Sequence, residues 1–243
     1  MSTEAAKAAI GSRIPVPHYR WLLFDADGTL FDYDRAERTA IEQALTQIGV
    51  SFNPGHLATY RRINQALWQG VEKGEITPGV VKVRRFELLL EALQVAHSPA
   101  ALSAIYLQCL ANCSELVEDA AAVLGALHGK YQIAILTNGL TVVQRGRLAR
   151  SVIRDHISDL IISEEIGAAK PAREFFDKAF ARLGHPSKSE VLMIGDGWAS
   201  DIQGAVQHGI DACWYNPARK PRPADYRITR EIAALRELTA WLG

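Results

Sequence analysis

Five short apolar runs recur along the chain without polar alternation: Trp21-Leu22-Leu23-Phe24, Ile133-Ala134-Ile135-Leu136, Leu160-Ile161-Ile162, Val191-Leu192-Met193-Ile194 and Ala212-Cys213-Trp214-Tyr215. Runs of this kind are expected of strands covered on both faces of a parallel sheet. Segments between the later runs have helical spacing instead. Phe175, Phe176, Ala179, Phe180 and Leu183 keep to one stripe, which stops at Gly184. Strand and helix in alternation predict a doubly wound α/β domain. One interval breaks the rhythm: about 110 residues separate the first run from the second. Within it, Ile41, Ala44, Leu45 and Ile48 form one helical stripe, and Val83, Phe86, Leu90 and Leu93 another. Gly49, Asn53-Pro54-Gly55, Gly74, Thr77-Pro78-Gly79 and Ser98-Pro99 punctuate them. The expectation is an all-helical cap over residues 34–116, inserted into an α/β core formed by 20–33 and 117–243. Residues 1–19, rich in alanine, proline and small polar side chains, read as a loose arm.

Composition narrows the function classes. The 243 residues include 27 basic and 27 acidic side chains, so the basic excess typical of nucleic-acid binding is missing. The longest apolar stretch, Ala120 to Leu127, is far shorter than the roughly 18–20 residues that span a bilayer. Residues 1–19 do not have the basic-then-apolar order of a secretory signal. Of the three cysteines, Cys109 and Cys113 lie four apart, and no CxxC occurs. They read as small buried hydrophobes in a reducing cytoplasm. The seven histidines are scattered without metal-ligand spacing and read as structural.

Ligands of open parallel sheets bind beyond the carboxyl ends of the strands, so the residues following each run are the ones to inspect. Asp25-Ala26-Asp27-Gly28-Thr29-Leu30 follows the first run and Thr137-Asn138-Gly139 the second; Lys170-Pro171 lies after the third, and Gly195-Asp196-Gly197-Trp198-Ala199-Ser200-Asp201 follows the fourth. Asp25, Asp27, Asp196, Asp201 and Lys170 would converge with a net charge of −3. A divalent cation reduces the repulsion, and oxygen ligands favour Mg²⁺ over zinc. Such a site can polarise a phosphoryl group, with an ionised aspartate as nucleophile. A second aspartate two residues on can protonate the leaving oxygen and then activate water. The lysine and threonine suit the remaining phosphate oxygens.

Phe24-Asp25-Ala26-Asp27-Gly28-Thr29-Leu30 resembles the first motif of the haloacid-dehalogenase-like phosphatases. Thr137, Lys170 and Asp196/Asp201 fall where the later motifs belong, in order. The resemblance implies Asp25 as nucleophile, Asp27 as general acid and base, and Thr137, Asn138 and Lys170 on the substrate phosphate. It also implies Mg²⁺ on the Asp25 and Asp196 carboxylates and the Asp27 backbone carbonyl, with Asp201 in support. The inserted helices occupy the position of a cap that closes over the site and reads the leaving group. Asn64 with Leu67-Trp68, Arg85-Phe86, and Ile162-Ser163-Glu164-Glu165-Ile166-Gly167 before Lys170-Pro171 resemble the bacterial pyrimidine 5′-nucleotidases active on noncanonical nucleotides. On that resemblance the partner is a small phosphomonoester, and Asn64, Trp68, Arg85 and Phe86 are the cap residues that read it. Aromatic and amide side chains suit a base by stacking and by edge hydrogen bonds.

Other readings use the same aspartates. A phosphoglycolate or sugar phosphatase would differ only in its cap. A haloacid dehalogenase does not require a proton donor at position 27, because halide leaves unprotonated. A sugar phosphomutase needs residues that hold a phosphorylated intermediate, and none is identifiable here. A phospho-accepting receiver would be about half this length and lack the large cap, and a non-catalytic phosphate-binding module would have lost Asp27 or Asp196.

Overall fold

The computed structural model describes residues 19–223 and 226–243. Six parallel strands form one sheet in the order β3-β2-β1-β4-β5-β6. They are β1 (Trp21–Phe24), β2 (Gln132–Thr137), β3 (Asp159–Ile162), β4 (Val191–Gly195), β5 (Asp211–Tyr215) and β6 (Arg230–Ile232). The five apolar runs are the first five strands; β6, with Arg230 and Glu231 in a three-residue edge strand, carries no such run. Side chains alternate between faces as the pleat requires. Leu22, Phe24, Ile133, Ile135, Leu192 and Ile194 pack on one side, and Leu23, Ala134, Leu136, Val191 and Met193 on the other.

Helices α5 (Ala120–Leu127) and α10 (Arg236–Leu242) cover the first face. The second is covered by α8 (Arg173–Arg182) and α9 (Gly204–His208), with the single turn α7 (Ser163–Ile166) beside them. The stripe expected on α8 is its buried face, and the chain leaves it through Gly184 at φ +80°. Between β1 and α5 lie α1 (Tyr33–Gln47), α2 (Pro54–Glu72), α3 (Pro78–Leu93) and α4 (Pro99–Asn112). Three of the proline breaks are helix starts. Asn53 and Ser98 accept backbone N–H bonds ahead of Pro54 and Pro99, whereas Thr77 precedes Pro78 without a side-chain cap bond. Proline fits the first helical position because that amide has no partner to lose. These helices share a hydrophobic cluster that includes Ile41, Leu45, Tyr60, Phe86, Leu89, Tyr106 and Leu110.

The cluster is completed by Leu140 and by Val143 of α6 (Thr141–Arg150), the helix that follows β2. Gly146 lets α6 approach α4: a Cβ there would lie 2.9 Å from the Ala111 Cβ. Two chain crossings link core and cap side by side, with Asp32 N–H donating to Glu115 and Val117 N–H to Leu30. Of the loose arm expected over residues 1–19, residues 1–18 lie outside the described part. Tyr19 is buried, and its hydroxyl donates to Asp211 at 2.6 Å. Cys109, Cys113 and Cys213 are buried free thiols. No helix of the described residues is long and apolar enough to cross a membrane.

Candidate active site

The sheet order reverses at β1, whose neighbours β2 and β4 lead the chain to opposite edges, and a crevice opens at the carboxyl ends of such strands. Asp25 stands there, its N–H held by the Ile194 carbonyl at 2.9 Å. Lys170 reaches the same point from the loop after α7, nearly fully buried. Its ammonium donates to Asp25 Oδ1 at 2.6 Å, Asp201 Oδ1 at 2.7 Å and the Leu136 carbonyl at 2.6 Å. All three protons of the ammonium are thereby used. Burial alone would depress its pKa; Asp201 and Asp25 outweigh that and hold it above the ordinary lysine range.

Asp201 leaves β4 through a π-helical turn, Trp198–Gln203, and its Oδ2 accepts the Gly197 N–H at 2.9 Å. Asp196 is fixed by Thr29, whose Oγ1 donates to Asp196 Oδ1 at 3.1 Å and accepts the Asp196 N–H at 3.0 Å. Gly28, at φ +85°, lets that turn close: a Cβ would sit 2.8 Å from Asp196 Oδ2. Burial and the Asp201 carboxylate push Asp196 up to about 6. Burial, then Asp201 and Asp196, raise Asp25 well above the carboxylate range against the pull of Lys170. Asp25, Asp196 and Asp201 each offer a carboxylate oxygen within 4.8 Å of the others. Three crowded hard oxygen donors with one ammonium between them fit a divalent cation such as Mg²⁺.

Thr137 is buried at the end of β2 and caps the Gly139 N–H at 2.9 Å. Asn138 spends both ends of its amide on Lys170, donating to its carbonyl at 2.8 Å and accepting its N–H at 2.7 Å. It thus ties the two loops together while also lining the cavity. Asp27 points away from the Lys170 cluster toward α6. There Gln144 Nε2 donates to its Oδ2 at 2.5 Å, and Arg147 pairs with its Oδ1. Neither partner was expected. Their i, i+3 spacing just after Thr137-Asn138-Gly139 was the available sign, but polar helix residues read as solvent-facing.

A cavity of about 410 Å³ runs from Asp25, Asp27, Thr137, Asn138 and Lys170 to the cap, a size within the ordinary range for small-ligand sites. Tyr33, Glu37, Arg61, Asn64 and Trp68 line its cap end. Glu37 is buried, which raises its pKa against the lowering effect of Arg61, whose Nε donates to it at 2.7 Å. Asn64 Nδ2 donates to Glu37 Oε1 at 3.2 Å and to the Tyr33 hydroxyl at 3.1 Å, and its Oδ1 accepts from Arg85 at 3.2 Å. Of the four cap residues expected to read substrate, Asn64 and Trp68 line the cavity. Arg85 stands behind Asn64, stacked over Tyr106, and sets its amide orientation. Phe86 packs against Tyr60 and Tyr106 inside the cap. Both are buried on the face of α3 that turns into the cap interior and do not line the cavity. Glu37, Arg61 and Tyr33, which do, carry no motif that sequence could reveal.

The haloacid dehalogenase-like hydrolase family model matches residues 19–209. Pyrimidine 5′-nucleotidase YjjG of Escherichia coli is 35% identical over 90% of this chain and 95% of its own. Pyrimidine 5′-nucleotidase PynA of Streptococcus pneumoniae is 33% identical over 90% and 93%. A crystal structure of the HAD-family protein YfnB of Bacillus subtilis, bound to magnesium, superposes with a TM-score of 0.86 at 33% identity, covering 93% of this chain and 99% of that one.

Proposed function

The chain belongs to the haloacid dehalogenase-like hydrolases, and from that membership we propose that it is a Mg²⁺-dependent 5′-nucleotidase for pyrimidine nucleoside monophosphates, working through an aspartyl-phosphate on Asp25. The observation that carries this reading is the single cavity joining the aspartate–lysine cluster to a polar cap end with an aromatic wall. A phosphate alone would leave the cap end empty; a nucleoside fills it.

In this mechanism an Asp25 carboxylate oxygen bonds to phosphorus while the bond to the 5′-oxygen breaks, and the Asp27 proton goes to that oxygen. Asp27 then takes a proton from water as the water oxygen attacks phosphorus, releasing phosphate and restoring Asp25. Lys170 holds Asp25 and Asp201 in place, and the Thr137 hydroxyl faces the transferred group. Asp25, Asp196 and Asp201 would hold Mg²⁺, which supplies charge neutralisation for the phosphoryl oxygens. The magnesium bound by the similar protein YfnB supports the choice of cation.

At the cap end the Glu37 carboxylate accepts from Arg61 and Asn64, and the Tyr33 hydroxyl, which also accepts from Asn64, lines the cavity beside them. Carboxylate, hydroxyl and guanidinium groups of this kind suit the polar edge of a base, and a site built on such bonds strongly rejects a base that cannot make them. Trp68 offers a stacking face. The test is phosphate release from uridine, deoxythymidine, cytidine and adenosine 5′-monophosphates, glucose 6-phosphate and phosphoglycolate in millimolar Mg²⁺. The expected result is a kcat/KM for the uracil or thymine nucleotide at least about tenfold above the others. A preference for phosphoglycolate would overturn the nucleotidase reading and leave the phosphatase standing.

A further inference from the structure

The buried face of α6 carries two polar side chains that the chemistry above does not use. Gln144 and Arg147 are 1% and 0% exposed and between them occupy both oxygens of Asp27. Arg147 does more than pair. Its guanidinium lies over the Phe31 ring, 4.7 Å from the centroid, and its Nε donates to the Cys113 carbonyl at 2.8 Å. Phe31 sits on the crossing from core to cap, and Cys113 follows α4 on the crossing back; Phe31 also bridges to Leu116 in antiparallel fashion. One guanidinium therefore touches Asp27 and both crossings at once.

This is an expensive way to fill space. Burying a guanidinium carries a large desolvation cost before its partners offset it. Arg147 Nη2 and Gln144 Oε1 remain buried without partners, a deficit that natural interiors mostly avoid. An apolar pair would pack the same gap without either cost. What only this pair does is fix the direction of the Asp27 carboxylate, which still faces the cavity with about a quarter of its side chain exposed.

We propose that Gln144 and Arg147 are positioning residues that clamp Asp27 in one rotamer and tie that rotamer to the two crossings on which the cap is hung. The inference rests on the reading of Asp27 as the group that gives its proton to the leaving oxygen and takes one from water. A carboxylate displaced by about 1 Å slows both transfers, an effect that reaches roughly 10²-fold for misplaced catalytic groups.

The test is steady-state kinetics of Arg147→Met and Gln144→Leu, each alone and combined with Asp27→Asn, on uridine 5′-monophosphate and para-nitrophenyl phosphate. Each single variant should lower kcat on the nucleotide by about 10- to 100-fold with KM within about threefold. The loss on para-nitrophenyl phosphate should be smaller, because its phenolate needs less protonation, and Arg147→Lys should recover part of the nucleotide rate. In the Asp27→Asn background the same substitutions should change kcat by less than about twofold, since they act through the group already removed. Equal factors in both backgrounds, or a loss confined to KM, would overturn the clamp. Gln144→Leu carries the comparison should Arg147→Met fail to fold. Full nucleotide activity in Asp27→Asn itself would overturn the underlying reading of Asp27, a result distinct from additivity.

Discussion

Replacing Lys170 by methionine removes one charge and keeps most of the volume. The ammonium is the common donor to Asp25, Asp201 and the Leu136 carbonyl, at 2.6–2.7 Å, and its side chain is 1% exposed. Breaking a buried ion pair by removing one partner costs about 3–5 kcal/mol. Leaving the Leu136 carbonyl unsatisfied adds about 1–3 kcal/mol. The carboxylates escape part of this by taking up a proton, so a net loss near 4–6 kcal/mol is expected. For a chain of this size that corresponds to a fall in Tm of about 10–20 °C. The assay is thermal unfolding followed by circular dichroism in chelator at pH 7, with kcat measured in parallel. Millimolar Mg²⁺ should restore part of the lost Tm, because a cation bound to the native carboxylates supplies the missing charge. Turnover should stay below about one per cent, because Asp25 loses the charge-assisted donor that holds it and a thioether does not replace it. A chelated variant melting within about 3 °C of the parent would refute the view that Lys170 holds this cluster together.

Asp25→Asn should abolish turnover while raising the metal-free Tm, because burial and the neighbouring carboxylates disfavour the charge that the amide lacks; a lower Tm would count against that electrostatic reading. Asp196 has its pKa raised from 3.8 to about 6, so its contribution to metal-free stability is full below about pH 3.8 and is lost as pH rises through 6. Mg²⁺ requires the ionised form, so the Tm gain from Mg²⁺ should be markedly smaller at pH 5 than at pH 7; equal gains would exclude Asp196 as a ligand. Gly28→Ala places a Cβ 2.8 Å from Asp196 Oδ2 at a φ of +85°, so it should destabilise the protein by about 1–2 kcal/mol and weaken Mg²⁺ binding in a calorimetric titration.

Strands β1 to β5 were legible because a strand covered on both faces has no polar positions to blur it. Edge strand β6 was not, since Arg230 and Glu231 look like any polar loop and only pairing with β5 makes them a strand. Asp25, Asp27, Thr137, Lys170, Asp196 and Asp201 could be found because each follows an apolar run, and a parallel sheet brings such positions to one edge. Gln144 and Arg147 were not read as buried: Arg147 is covered by Asp27, Phe31 and Cys113, which come from far away in the sequence. The cap shows the same limit. Periodicity assigned Arg85 and Phe86 to a helix, but which way that face turns depends on Tyr60 and Tyr106, and they turn it from the cavity into the cap interior.

Leu140 and Val143 lie on the core side of the chain crossings yet complete the cap's own cluster, and Gly146 admits α4 to within a methyl's reach of α6. The cap is therefore not an exchangeable cassette. A fragment cut at the two crossings would expose the seam that α6 covers, and a foreign cap grafted onto this core would meet a helix shaped for another partner. Transplanting specificity between relatives should succeed only when α6 travels with the cap. But α6 also carries the Gln144–Arg147 clamp, so any such chimera exchanges part of the catalytic setting together with the recognition surface.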